Sequence, residues 1–160
     1  MKSEASLREH LVELLDWKDA HATFDKAVDG IPVEDRGRVP EGALHSLWQV
    51  VEHLRLAQKD ILDFCVNAGY QEPDWPDDYW PQDPVPPSAE AWDECLAGYR
   101  EDRARMMKLA KDTSLDLFSR IPHGTGQTYL REILLVADHN AYHIGQIVLL
   151  RRLLGNWPGE

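Results

Sequence analysis

His139 and His143 stand four residues apart in the run His139-Asn-Ala-Tyr-His143. On a helix that spacing sets two imidazoles one turn apart, about 5–6 Å between Cβ atoms. Zn–N bonds of about 2.0–2.1 Å let both rings reach one cation while the helix stays regular. Val136 precedes the pair by three residues, and Ile147, Leu150 and Leu154 follow it at helical spacing. The pair therefore lies on an apolar stripe that faces a core. An unpaired buried polar group costs roughly 1–3 kcal/mol, so two inward imidazoles require acceptors, water or a metal. The pair alone is equally compatible with core carboxylates. His53 tips the balance: Val50 and Ala57 flank it by about one turn on either side, at the edge of a second apolar stripe. Three neutral imidazoles with an open position suit a divalent transition metal, zinc or nickel first, with iron, manganese or cobalt as further choices.

Other chemistries find less support. A zincin needs Glu directly after the first histidine, and Asn140 stands there. The carboxylate di-iron bundle needs Glu three residues before His, and no histidine of this chain has it. The serines are scattered, and Gly124 and Gly126 lack the strand context of a phosphate loop. Among the other histidines, His21 falls on a core stripe between Trp17 and Phe24, where a structural or supporting role ranks ahead of ligation. His45, two turns before His53, reads as solvated or capping, and His10 and His123 offer less. Glu52 and Asp138 adjoin the site histidines in sequence but point about 100° away, and Glu52 is expected to bind a surface arginine. Tyr142 is left open.

Four segments carry helical periodicity and none shows sustained strand alternation, so the expected class is all-α. The first helix is expected to open at Ser6, with Glu9 completing a capping box, and to end near Gly30-Ile-Pro32. Its inward stripe is Leu7, Leu11, Leu14, Trp17, His21, Phe24 and Val28. The second runs from about Ala43 to Ala68, with Leu47, Val50, Leu54, Ala57, Ile61 and Phe64 inward and Gly69 as its stop. Tyr70 to Pro87 holds six of the ten prolines together with Trp75, Tyr79 and Trp80. It reads as an ordered crossover whose rings either cover the mouth of the metal pocket or seal the bundle end. Its length exceeds the about two to eight residues that join antiparallel neighbours, which allows helices two and three to run parallel. Ser88 caps the third helix, which continues to about Lys111 and breaks near Asp112 to Ser114. After a loop over 121–127, the last helix runs from about Thr128 through Leu154 and stops at Gly155.

The 160 residues, 43% hydrophobic, are enough for one domain over 1–160, and the formal charge is −11. No basic cluster suits nucleic acid or an anionic membrane. The N-terminus lacks the apolar run of a signal peptide, and no apolar segment is expected to approach the ~20 residues of a membrane span. The expected location is the cytoplasm. Cys65 and Cys95 are isolated and read as buried free thiols.

The run His139-Asn-Ala-Tyr-His143-Ile-Gly-Gln-Ile-Val-Leu-Leu-Arg151-Arg-Leu-Leu-Gly155, with His53 inside Trp48-Gln-Val-Val-Glu-His53-Leu-Arg, resembles the DinB/YfiT-like family of metalloenzymes over nearly the whole chain. The resemblance implies a four-helix bundle of up-down-down-up topology, with His53, His139 and His143 as the metal ligands. It also implies frequent dimerisation, in keeping with a second apolar stripe on the last helix, Leu130, Leu134, Ala137, Ala141, Ile144 and Val148. Characterised relatives include transferases and isomerases that use low-molecular-weight thiols. A metal-dependent transferase or hydrolase acting on a small-molecule substrate is the implied activity, by Lewis-acid activation of water or a thiolate at the open position. A metal-binding or stress-response module without turnover is the alternative. No residue here matches a thiol-binding motif.

Overall fold

The computed structural model describes residues 2–158. It is all-helical: α1 (Lys2–Leu14), a short α2 (Phe24–Val28), a 3-10 turn at Val33–Asp35, α3 (Leu47–Val66), α4 (Ala89–Lys111) and α5 (Tyr129–Leu153). Among the described residues there is no strand, only an isolated antiparallel bridge between Arg120 and Thr128. The four long helices form a helical bundle in which α3 packs against both α4 and α5, and α1 packs against α4.

Helix starts follow side-chain caps. Ser46 accepts from the amide of Gln49 while the Gln49 side chain accepts from the amide of Ser46, a reciprocal box that satisfies two otherwise orphaned donors. Ser88 and Thr128 cap α4 and α5 in the same one-sided way, each accepting from the amide three residues on. Gly155, at φ +74°, ends α5 in the left-handed conformation that glycine adopts without a Cβ clash.

The first helix departs from expectation. It begins at Lys2, so Ser6 lies inside it, and its hydroxyl sits 3.4 Å from His10 Nε2 rather than capping a terminus. It also stops at Leu14, and Thr23 caps a separate short helix. The stretch from Asp16 to His21 is largely exposed, so Trp17 and His21 do not continue the core stripe that Leu11, Phe24 and Val28 serve. The start of α3 lies at Leu47 rather than Ala43, because the Ser46–Gln49 box decides it.

Two apolar clusters fill the bundle. One joins Phe24, Leu47, Val51, Trp92, Tyr99 and Ile147. The other joins Leu11, Leu62, Met106, Ile121, Ile133 and Val136. Buried Arg8 seals the far end of α4 by donating to the carbonyls of Ala110 (3.0 Å), Asp112 (2.8 Å) and Leu115 (2.6 Å). Cys65 and Cys95 are buried free thiols, as expected, and burial pushes both thiols up. By length and composition α5 is apolar enough to cross a membrane, contrary to the expectation that no segment comes close. The reason is that it is apolar on several faces: Ile133, Val136, Ile144, Ile147 and Leu150 enter the core, while Leu134, Leu149 and Leu153 stay exposed.

Candidate metal centre

The bundle brings the three expected histidines together. His53 of α3 and His139 and His143 of α5 each present a ring nitrogen within 4.8 Å of the other two. The Nε2 atoms of His53 and His139 face each other at 3.1 Å. His53 and His143 are buried, and His139 is partly so. Their positions follow from helix phase: the stripe of Val136, Ile147 and Leu150 is buried, and the residues between them on that face turn toward α3.

The nitrogens that face away from the cluster are held by neighbours. His53 Nδ1 lies 2.9 Å from the Tyr79 carbonyl, which only accepts, so Nδ1 carries the proton and Nε2 presents its lone pair inward. His143 Nδ1 lies 2.8 Å from Gln146 Oε1, with the same consequence for its Nε2. Among the described residues His139 Nδ1 is buried without a hydrogen-bond partner. A second buried chain lies nearby, Asn140 Nδ2 donating to Gln58 Oε1 (2.8 Å) and Gln58 Nε2 donating to the Tyr99 carbonyl (2.8 Å), with Asn140 Oδ1 unpaired among the described residues. The residues fit a cation. Two inward lone pairs are already fixed, and opposed nitrogens at 3.1 Å call for a shared proton or metal between them.

The electrostatics favour the neutral form of all three imidazoles. Burial lowers His53 to about 4, opposed by the Tyr79 carbonyl and assisted by the charges that His143 and His45 would carry. Burial likewise lowers His139 to about 4, with His143 and His53 acting in the same direction and Asn140 against it. His143 is lowered by burial, Gln146 opposing.

Of the site's neighbours, Trp80 is one of the loop rings expected to cover the pocket or seal the bundle end, whereas the position of His45 against it was not legible in sequence. The Trp80 indole lies parallel to the His53 ring, centroids 3.8 Å apart at 5°. On Trp80, His45 stacks at 4.2 Å and 17°. Two parallel imidazoles that close to one indole must flank opposite faces, so His45 forms the outer layer of a stack over His53 and is not simply solvated. Gln146 had a signal, standing three residues after His143 on the same helix. The Tyr79 carbonyl had none, because a loop backbone atom leaves no trace in residue type. Tyr142 is exposed, with its ring edge against His143 at 4.9 Å.

His21 does not join the centre. It is exposed, its Nδ1 lies 2.9 Å from the Ala22 carbonyl, and with Trp17 it lines a separate cavity of about 290 Å³. Glu52 pairs with an arginine as expected, Arg55, through two contacts, but the pair is half-buried rather than at the surface. Asp138 is exposed, and His10 and His123 engage Glu13 and the Phe64 carbonyl respectively.

A sequence profile of the DinB superfamily matches residues 16–147, a span that contains all three histidines and most of the chain. The chain belongs to the DinB superfamily. No curated protein and no solved structure matches it. Membership and the three-histidine cluster together fit a metal-binding DinB-like protein.

Proposed function

We propose that this DinB-superfamily protein holds one divalent transition metal, zinc or nickel first, on His53, His139 and His143, and acts with it on a small-molecule substrate. The observation that carries the reading is the convergence of three ring nitrogens within 4.8 Å, two of them with tautomers already set by Tyr79 and Gln146. A bound ion supplies a Lewis acid with positions left for a small ligand. The chain's own residues orient the ligands and exclude water: Tyr79 and Gln146 fix two rings, and Trp80 covers one of them. We assign a transferase or hydrolase class, with a low-molecular-weight thiol as the co-substrate, on family grounds. An up-down-down-up path, a homodimer and a cytoplasmic location complete the proposal. The irregular segment of residues 67–88, long enough to cross the bundle end, supports the path.

A module that binds metal without turnover is the second reading. It is favoured by the polar partners of the three rings among the described residues, which are other histidines, an amide and a loop carbonyl, with no carboxylate to serve as a base.

Metal analysis of protein purified without nickel affinity tests the first step. The expected result is close to one ion per chain, lost in His139→Ala and His143→Ala. Equal emptiness of wild type and variants after reconstitution refutes it. Perturbation of the Co(II) spectrum by a small thiol or azide, followed by turnover of a thiol with an electrophile, separates enzyme from passive module.

A further inference from the structure

His53 is held by a loop, and the loop is held by the same helix face. Residues Gln49, His53 and Asp60 recur at about helical phase along α3. Gln49 Nε2 donates to the Pro81 carbonyl (2.9 Å), and His53 Nδ1 to the Tyr79 carbonyl (2.9 Å). Two turns further on, Asp60 accepts from the hydroxyls of Tyr79 (Oδ2, 2.7 Å) and Tyr70 (Oδ1, 2.7 Å). Ser46 Oγ adds a bond to the Pro84 carbonyl. Tyr79 thus touches α3 twice, by its phenol at Asp60 and by its backbone at His53, and it carries Trp80 onto the His53 ring.

We propose that Asp60 is a positioning residue for the metal centre, acting through Tyr79. The carboxylate touches none of the three histidines. By anchoring the phenol of Tyr79 it fixes the height of the Tyr79 carbonyl over α3, and that carbonyl sets which nitrogen of His53 faces the cluster. Tyr79 is the buried side chain that ends an exposed stretch, residues 74–78, so its phenol at Asp60 ties that stretch down beside the contacts that Trp80 and Pro81 make. Burial also raises both phenols far above their ordinary value, with the hydrogen bonds to Asp60 adding to it, so each stays a donor at neutral pH. Partners of this kind behind a ligating histidine typically change metal affinity about 10–100-fold when removed.

Tyr70 supplies the internal control. It gives the same hydroxyl to the same carboxylate but has no backbone contact with a site histidine. The inference rests on the metal-site reading, and two measurements keep the failures apart. Zinc affinity, by competition with a chromogenic chelator, is expected to weaken about tenfold in Tyr79→Phe and in Asp60→Leu, which offers the phenols no acceptor, and to stay within twofold of wild type in Tyr70→Phe. In metal-free protein, imidazole nitrogen NMR is expected to show His53 protonated at Nδ1 in wild type and Tyr70→Phe, and a tautomer mixture in Tyr79→Phe. A wild type that binds no zinc defeats the metal reading, while the tautomer measurement still decides the positioning role. Tyr79→Phe with a wild-type tautomer, or Tyr70→Phe weakening zinc as much as Tyr79→Phe, overturns the inference.

Discussion

The indole of Trp80 and the imidazole of His53 lie 3.8 Å apart and within 5° of parallel, so one loop side chain forms a wall of the histidine cluster. The same indole packs against the apolar cluster that contains Trp48 and Trp92. It therefore both covers the site and seals the bundle.

Trp80→Ala is expected to show both effects. Two ring stacks disappear, at about 0.5–1.5 kcal/mol each, so stability should fall by about 1–3 kcal/mol in chemical denaturation. Removal of the cover should also change azide or thiol affinity at the Co(II)-loaded site. A variant that loses stability with unchanged ligand affinity would make Trp80 a seal alone.

Gln146→Leu removes the acceptor behind His143 Nδ1 while keeping a side chain of similar volume. Gln146 is only partly buried, so stability should stay within about 0.5 kcal/mol of wild type. Zinc affinity should fall about tenfold, because the His143 tautomer is no longer fixed. Competition titration against a chelator reads the affinity, and an unchanged value would mean that the helix alone orients the ring.

How much of this was written in residue types differs from part to part. His139 and His143 were legible because their separation of four and the stripe of Val136, Ile147 and Leu150 both belong to one helix. His53 needed only the phase of its own helix. The break after Leu14 was not legible: Trp17, His21 and Phe24 keep helical spacing, yet Thr23 offers a cap, and its bond to the Lys26 amide starts a new helix. Ser46 with Gln49 forms a capping box at a helix start, whereas Ser6 with Glu9 has the same residue pattern inside a helix. The pattern alone does not distinguish an end from an interior. The loop's grip on His53 depends on a backbone carbonyl and on where a proline-rich segment packs, neither of which is set by local spacing.

Acid should destabilise the metal-free protein in a defined window. His53 and His139 are lowered to about 4 from an ordinary 6.5, so between these values the unfolded chain binds more protons than the folded one. The stabilisation from keeping them neutral is present above about pH 6.5 and is lost as pH falls toward 4. Thermal melts in the presence of a chelator should thus be nearly flat above pH 6.5 and decline below it. The double variant His53→Gln, His139→Gln should show a shallower decline. An identical decline would place the acid sensitivity in other groups.

For the proposed dimer α5 offers an exposed face that keeps only Leu134 of the sequence stripe as a large exposed residue. Of that stripe, Ala137 and Ile144 are buried and Leu130 packs against the second apolar cluster, so those residues serve the bundle. The exposed large apolar residues of α5 are Leu134 (44%), Tyr142 (65%), Leu149 (57%) and Leu153 (54%), which share one side of the helix. Gly145 lies on the same side with nothing near the place a Cβ would take, which lets another backbone approach closely. Exposed apolar side chains on one side of a helix, with the exposed Asp138 and Arg131 between them, are the face on which a contact between copies would form. Light scattering at tens of micromolar should give twice the 18.3 kDa chain mass, and Leu149→Lys with Leu153→Lys should return the monomer mass with the helical content unchanged. A wild type that is monomeric under those conditions refutes the dimer, and a dimer that survives both lysines moves its interface to another face.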